Sequence, residues 1–129
     1  MKVPFLDLRV TDKEELGALL EAYRGVLAHG RLVMGPEIEE LETAVAENCA
    51  RRFSVSVGSG TDALFLGLRA LNVGPGDEVI TTSLSWIATA NAIKLTGATP
   101  VFADIGDDLN INTSSVEALI GERTAALLT

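Results

Sequence analysis

From Phe53 onward, short runs rich in β-branched residues alternate with helix-length runs, and turn residues separate each run from the next. The pattern predicts strands at 53–57, 78–82, 100–103 and 124–129, with helices over 61–71, 86–96 and 114–121 between them. Two parallel neighbours need a crossover of a dozen or so residues, which is what each helical run provides. The fold class expected is therefore α/β: a mostly parallel sheet with helices on both faces. The apolar strand at 124–129 has no covering helix after it, and a buried strand needs cover on each face. On that ground the chain reads as cut short, the first part of a longer protein.

Residues 1–50 read as a helical segment ahead of the α/β domain that starts at 51. Thr11 and Glu14 have capping-box spacing, and Leu16, Leu19, Leu20, Tyr23 and Leu27 form one stripe on the helix that follows. Gly30 is placed to end that helix, and Pro36 to open the next one. In the second helix Ile38, Leu41, Val45 and Cys49 share one face, while Glu37, Glu39, Glu40 and Glu42 supply a solvated one.

Ten basic residues against eighteen acidic ones leave a net charge of −8, with no basic cluster, which argues against nucleic acid or an anionic membrane as partner. No apolar run approaches the ~18 residues of a membrane span, and Pro4, Asp7 and Arg9 break any signal-peptide core. A lone cysteine, Cys49, forms no internal disulfide and fits a reducing cytoplasm. His29, the single histidine, has no visible partner, and no metal-ligand spacing occurs.

The most informative turn is GSGTDA at 58–63, a strand-to-helix junction whose free backbone N–H groups favour an anion. It satisfies the dinucleotide fingerprint G-x-G-x-x-G/A, but the next strand ends Ile80-Thr81-Thr82-Ser83 and carries no carboxylate for a ribose. A phosphate-binding G-x-x-x-x-G-K-[ST] loop is absent. A small, hydroxyl-rich turn without lysine suits one phosphate monoester, held by Ser59, Gly60, the Thr61 hydroxyl and the Thr61 and Asp62 amides. The next junction carries Ser85-Trp86 at the same edge of the sheet. Trp86 is either a core residue or a flat platform for a planar, phosphorylated heterocycle.

Read together, several further segments are specific. VPFLDL at 3–8, GRLVMGP at 30–36, SGTDA at 59–63, GPGDEVI at 74–80, SWIATANAI at 85–93 and GATPVFAD at 97–104 occur in one order along the chain. In these the sequence resembles the N-terminal part of the DegT/DnrJ/EryC1/StrS sugar aminotransferases, pyridoxal-phosphate enzymes of fold type I. The resemblance implies that Ser59, Gly60, Thr61 and Asp62 hold the cofactor phosphate and that Trp86 stacks on its ring. It implies that Gly30, Arg31 and Met34 lie near the substrate, a keto-sugar linked to a nucleotide. It also implies an amino-acid donor, commonly glutamate, and a homodimer with sites shared across the interface. The lysine that such chemistry requires has no counterpart among Lys2, Lys13 and Lys94, so no catalytic residue is expected in these 129 residues. A dehydratase on the same scaffold and a non-catalytic interaction fragment are the alternatives that this leaves.

Overall fold

The structure, a computed structural model, describes residues 5–129. The chain divides into two compact units, one ending at Ser56 and the other running Val57–Thr129. Val3 and Pro4 of the VPFLDL segment, and Lys2, lie outside the described residues.

The first unit holds two helices, α1 at Lys13–His29 and α2 at Pro36–Asn48. Their ends follow from local chemistry. Asp12, not Thr11, caps α1: its carboxylate accepts the Glu15 N–H at 2.8 Å, one residue later than the capping-box spacing suggests. Gly30 closes α1 in the left-handed region (φ 70°), donating its N–H to the Val26 carbonyl. Pro36 begins α2, where its missing N–H removes no helical bond. The apolar stripe on α1 is exposed along its length, and only Ala46 is buried on α2. Cys49 is exposed as well.

The strand expected at 53–57 does not form. A strand exists only by pairing, and no ladder among the described residues reaches this segment. The Ser56 N–H is instead donated to the Glu42 carboxylate at 2.6 Å, and Phe53 and Val55 point to solvent.

The second unit is the α/β body. Its helices are α3 at Gly60–Ala70, α4 at Ala88–Thr96 and α5 at Thr113–Leu119; its strands are β1 at Glu78–Thr82, β2 at Thr99–Ala103 and β3 at Thr124–Leu128. Both pairings are parallel and the order is β2-β1-β3, so β1 is central and its Val79, Ile80 and Thr81 are all buried. Alternate side chains of β1 point to opposite layers. Val79 joins Leu68, Val73, Ile93 and Ala98 on the face covered by α3 and α4. Ile80 joins Ala103 and Val116 on the face covered by α5. Helices thus cover both faces of a parallel sheet.

The edge where the strands begin is built for packing. Asn72 (φ 60°) and Gly76 (φ 96°) turn the chain from α3 into β1, and the Asp77 carboxylate accepts the Gly74 N–H at 2.9 Å. Gly97 (φ 89°) ends α4 so close to this turn that a Cβ there would sit 2.8 Å from Pro75 Cγ. Glu78, the first residue of β1, pairs with Arg123 at 2.6 Å.

Candidate functional site

The opposite edge, where β1 ends, is the one toward which Trp86 is delivered. α4 connects the end of β1 to the start of the parallel β2, so it must begin at this edge. α3 packs against α4, and the two helices finish together: a Cβ at Gly74 would lie 3.8 Å from the Thr96 carbonyl oxygen. Eleven helical residues span about 16 Å, the same reach as a five-residue strand. The α3 N-terminus therefore lies toward the edge at which β1 delivers Ser83–Ile87.

Ser59 is the α3 cap. Its backbone is extended (φ −163°, ψ 165°), and its Oγ accepts the Asp62 N–H at 3.1 Å while its carbonyl accepts the Ala63 N–H. The amides divide differently from the sequence expectation. The Asp62 N–H is taken up by Ser59, whereas the Gly60 and Thr61 N–H groups have no acceptor among the described residues. A Cβ built at Gly60 would meet nothing within 4 Å, so the approach to these amides is open. The Asp62 carboxylate turns back toward Gly58, with one oxygen 3.0 Å from where a Cβ of that glycine would stand.

Trp86 is 79% exposed, which removes the core reading of its ring. It stands just before α4, in a segment held by a Ser85–Thr89 hydroxyl pair at 2.9 Å and by the Thr89 N–H on the Trp86 carbonyl at 3.0 Å. An open pair of amides, two hydroxyls and an exposed indole thus share one edge of one unit. Together they could take a phosphate beside a flat ring; no acidic or histidine cluster suited to a metal occurs among the described residues.

Gly30, Arg31 and Met34 belong to the other unit. Their segment is folded on itself: Arg31 Nη2 donates to the Met34 carbonyl at 2.8 Å, and Met34 adopts φ 53°. Sequence reasoning missed the partner of His29. Its Nε2 lies 2.7 Å from Glu37 Oε1, across the two-helix linker, and that bond is the main cause holding the Glu37 carboxyl below its usual range. The signal was a histidine at the end of one helix and a glutamate in the first turn of the next, eight positions apart. A second missed feature is Thr81, whose buried hydroxyl has no hydrogen-bond partner among the described residues.

The second unit is thus a parallel α/β body with an open helix start and an exposed aromatic at one sheet edge. The chain belongs to the DegT/DnrJ/EryC1/StrS aminotransferase family, whose model matches residues 13–129. It is 39% identical over 132 residues to the UDP-2-acetamido-2-deoxy-3-oxo-D-glucuronate aminotransferase of Pseudomonas aeruginosa, covering 98% of this chain and 35% of that one. It is 44% identical over 128 residues to the dTDP-3-amino-3,4,6-trideoxy-alpha-D-glucose transaminase of Streptomyces venezuelae, covering 98% of this chain and 34% of the relative. Among solved structures, NtdA of Bacillus subtilis with bound cofactor PMP superposes with a TM-score of 0.87 at 35% identity, over 95% of this chain and 29% of the other. The chain spans about a third of the length of the curated relatives it matches.

Proposed function

We propose that this chain is the cofactor-phosphate part of a pyridoxal-phosphate aminotransferase that passes an amino group to a keto-sugar carried on a nucleotide. The observation that carries the reading is the α3 N-terminus, with the Gly60 and Thr61 amides open, at the same sheet edge as the exposed Trp86. Its support is the family itself and relatives that are aminotransferases of UDP- and dTDP-linked sugars. In this reading residues 1–50 form a helical segment and 51–129 the first part of the cofactor domain.

When bound, pyridoxal phosphate supplies the electron sink that lets an amino group move between two carbon skeletons. The residues of this chain bind and orient it. The Gly60 and Thr61 N–H groups and the positive end of α3 take phosphate oxygens. A hydroxyl has one donor and two acceptor positions, so Ser59, already accepting from Asp62, keeps its proton for the phosphate. The Asp62 amide thus acts through Ser59, and the Thr61 hydroxyl adds a further donor. Trp86 covers one face of the ring and keeps water from it.

Gly30, Arg31 and Met34 face the nucleotide-sugar, with Arg31 suited to its diphosphate. Glutamate is the amino donor, and the working enzyme is a homodimer with shared sites. None of Lys2, Lys13 and Lys94 acts as the amine nucleophile, so the 129 residues alone do not transaminate. A single cysteine fits the cytoplasm as their location, and no described helix is long and apolar enough to cross a membrane.

Because Trp86 is the single tryptophan, its fluorescence reports ligand binding directly. Titration with pyridoxal phosphate should quench it saturably, and inorganic phosphate should compete. Thr61→Ala should weaken binding about 10- to 100-fold, the loss of one charge-assisted bond. Unsaturable quenching, or equal affinity in Thr61→Ala, would remove the site.

A further inference from the structure

The linker between α1 and α2 holds one arrangement that neither the family nor the proposed chemistry assigns. His29, the last residue of α1, uses both ring nitrogens. Its Nδ1 accepts the Arg31 N–H at 3.1 Å, and its Nε2 lies 2.7 Å from Glu37 Oε1 in the first turn of α2. A nitrogen that accepts carries no proton, so a neutral ring must hold its proton on Nε2 and donate it to Glu37. One imidazole therefore joins the end of α1, the backbone of the linker and the start of α2.

The rest of the linker is tight enough for this to matter. The Leu32 N–H reaches the Gly30 carbonyl at 3.1 Å, and Arg31 Nη2 reaches the Met34 carbonyl at 2.8 Å. Gly35 is buried, and a Cβ there would stand 2.6 Å from Glu37 Oε2 and 2.8 Å from the Arg31 carbonyl oxygen. The charged groups facing the ring among the described residues are Glu37 from α2 and Arg31 from the linker itself.

We propose that His29 is a positioning residue for Arg31 and Met34, and that it holds the linker only as the neutral Nε2–H tautomer. A second proton would occupy Nδ1. The ring would then keep its bond to Glu37, as an ion pair, and lose its bond from the Arg31 N–H. Acid thus frees the backbone at Arg31 while leaving the two helices tied. The consequence for a substrate rests on the reading of this linker as substrate-facing; the bond pattern does not.

With one histidine in the chain, selective 15N labelling of the whole protein gives a single imidazole to observe. At about pH 8 the ring should carry its proton on Nε2. Hydrogen exchange at the Arg31 amide, corrected for intrinsic rate, should lose its protection once acid adds the second proton to the ring. His29→Gln keeps a donor near the Nε2 position and loses the Nδ1 acceptor, so it should speed Arg31 exchange about 10-fold at pH 8. His29→Asn keeps an acceptor near the Nδ1 position and should restore much of the protection, a rescue that a merely space-filling histidine would not show. A proton on Nδ1 at pH 8, or the same Arg31 exchange in His29→Gln as in the wild type, overturns the proposal. Neither readout uses cofactor or substrate, so its failure is separate from failure of the aminotransferase reading.

Discussion

At the scale of single residues, the structure separates side chains that pack from side chains left exposed. Thr81 is 1% exposed, and its hydroxyl finds no partner in the apolar layer between β1 and the α3–α4 pair. An unsatisfied buried hydroxyl is unfavourable, and valine has nearly the same shape. Thr81→Val should therefore stabilise the fold by about 1 kcal/mol, read as a higher denaturation midpoint at unchanged slope. Gly97 is the opposite case. Its left-handed backbone and the Pro75 ring 2.8 Å from its missing Cβ leave no room for a side chain. Gly97→Ala should destabilise by about 1–3 kcal/mol in a thermal melt. In the candidate site, Asp62→Asn keeps the amide that orients Ser59 and removes a negative charge. It should leave pyridoxal-phosphate affinity unchanged or tighter by fluorescence titration, whereas loss of binding would mean that the carboxylate itself is needed.

At the scale of elements, the helix ends carry the predictions. Ser59 caps α3 and also sets the proton that its hydroxyl can offer. Ser59→Ala should lower stability by about 1 kcal/mol and weaken phosphate binding in the same variant, two effects that denaturation and titration measure independently. Much of this level was readable from sequence. Gly30, Pro36, Gly97 and the β1 strand mark their own boundaries because glycine and proline act through their own backbone. Thr11 misled because either Thr11 or Asp12 can cap, and the choice depends on where the first turn closes. Phe53–Val57 misled more deeply. Its alternation has the strand period, but pairing is a property of two segments, and the Glu42 carboxylate takes the Ser56 amide instead.

At the scale of the whole molecule, charge and the set of reactive side chains decide behaviour. Asp7 and Asp108 are held below the usual carboxylate range chiefly by side-chain bonds to Arg9 and Asn110, and Glu37 by its bond to His29. A carboxyl lowered in the folded state contributes stability above its unfolded pKa and loses it as pH falls through the folded one. Stability should thus hold from neutral pH to about 5 and fall progressively below about 4, measured by denaturant titration across that window. Glu37→Gln should flatten part of that fall. The second prediction at this scale concerns activity. With glutamate and pyridoxal phosphate supplied, the 129 residues should form no 2-oxoglutarate above a protein-free control, by coupled assay. Turnover by this chain would show that one of its three lysines does what the reading denies it.

Apart from the run at 53–57, the order of strands and helices, the turns between them and the small hydroxylated loop at 58–63 were determined by the sequence alone, because each depends on residues close together along the chain. Tertiary structure decided which runs pair, that β1 is central, that Trp86 is exposed at the edge where α3 begins, and that His29 meets Glu37. Those depend on groups brought together from separate elements. Local pattern states what a segment can do; whether a partner stands within hydrogen-bond reach is settled only when the chain has closed on itself.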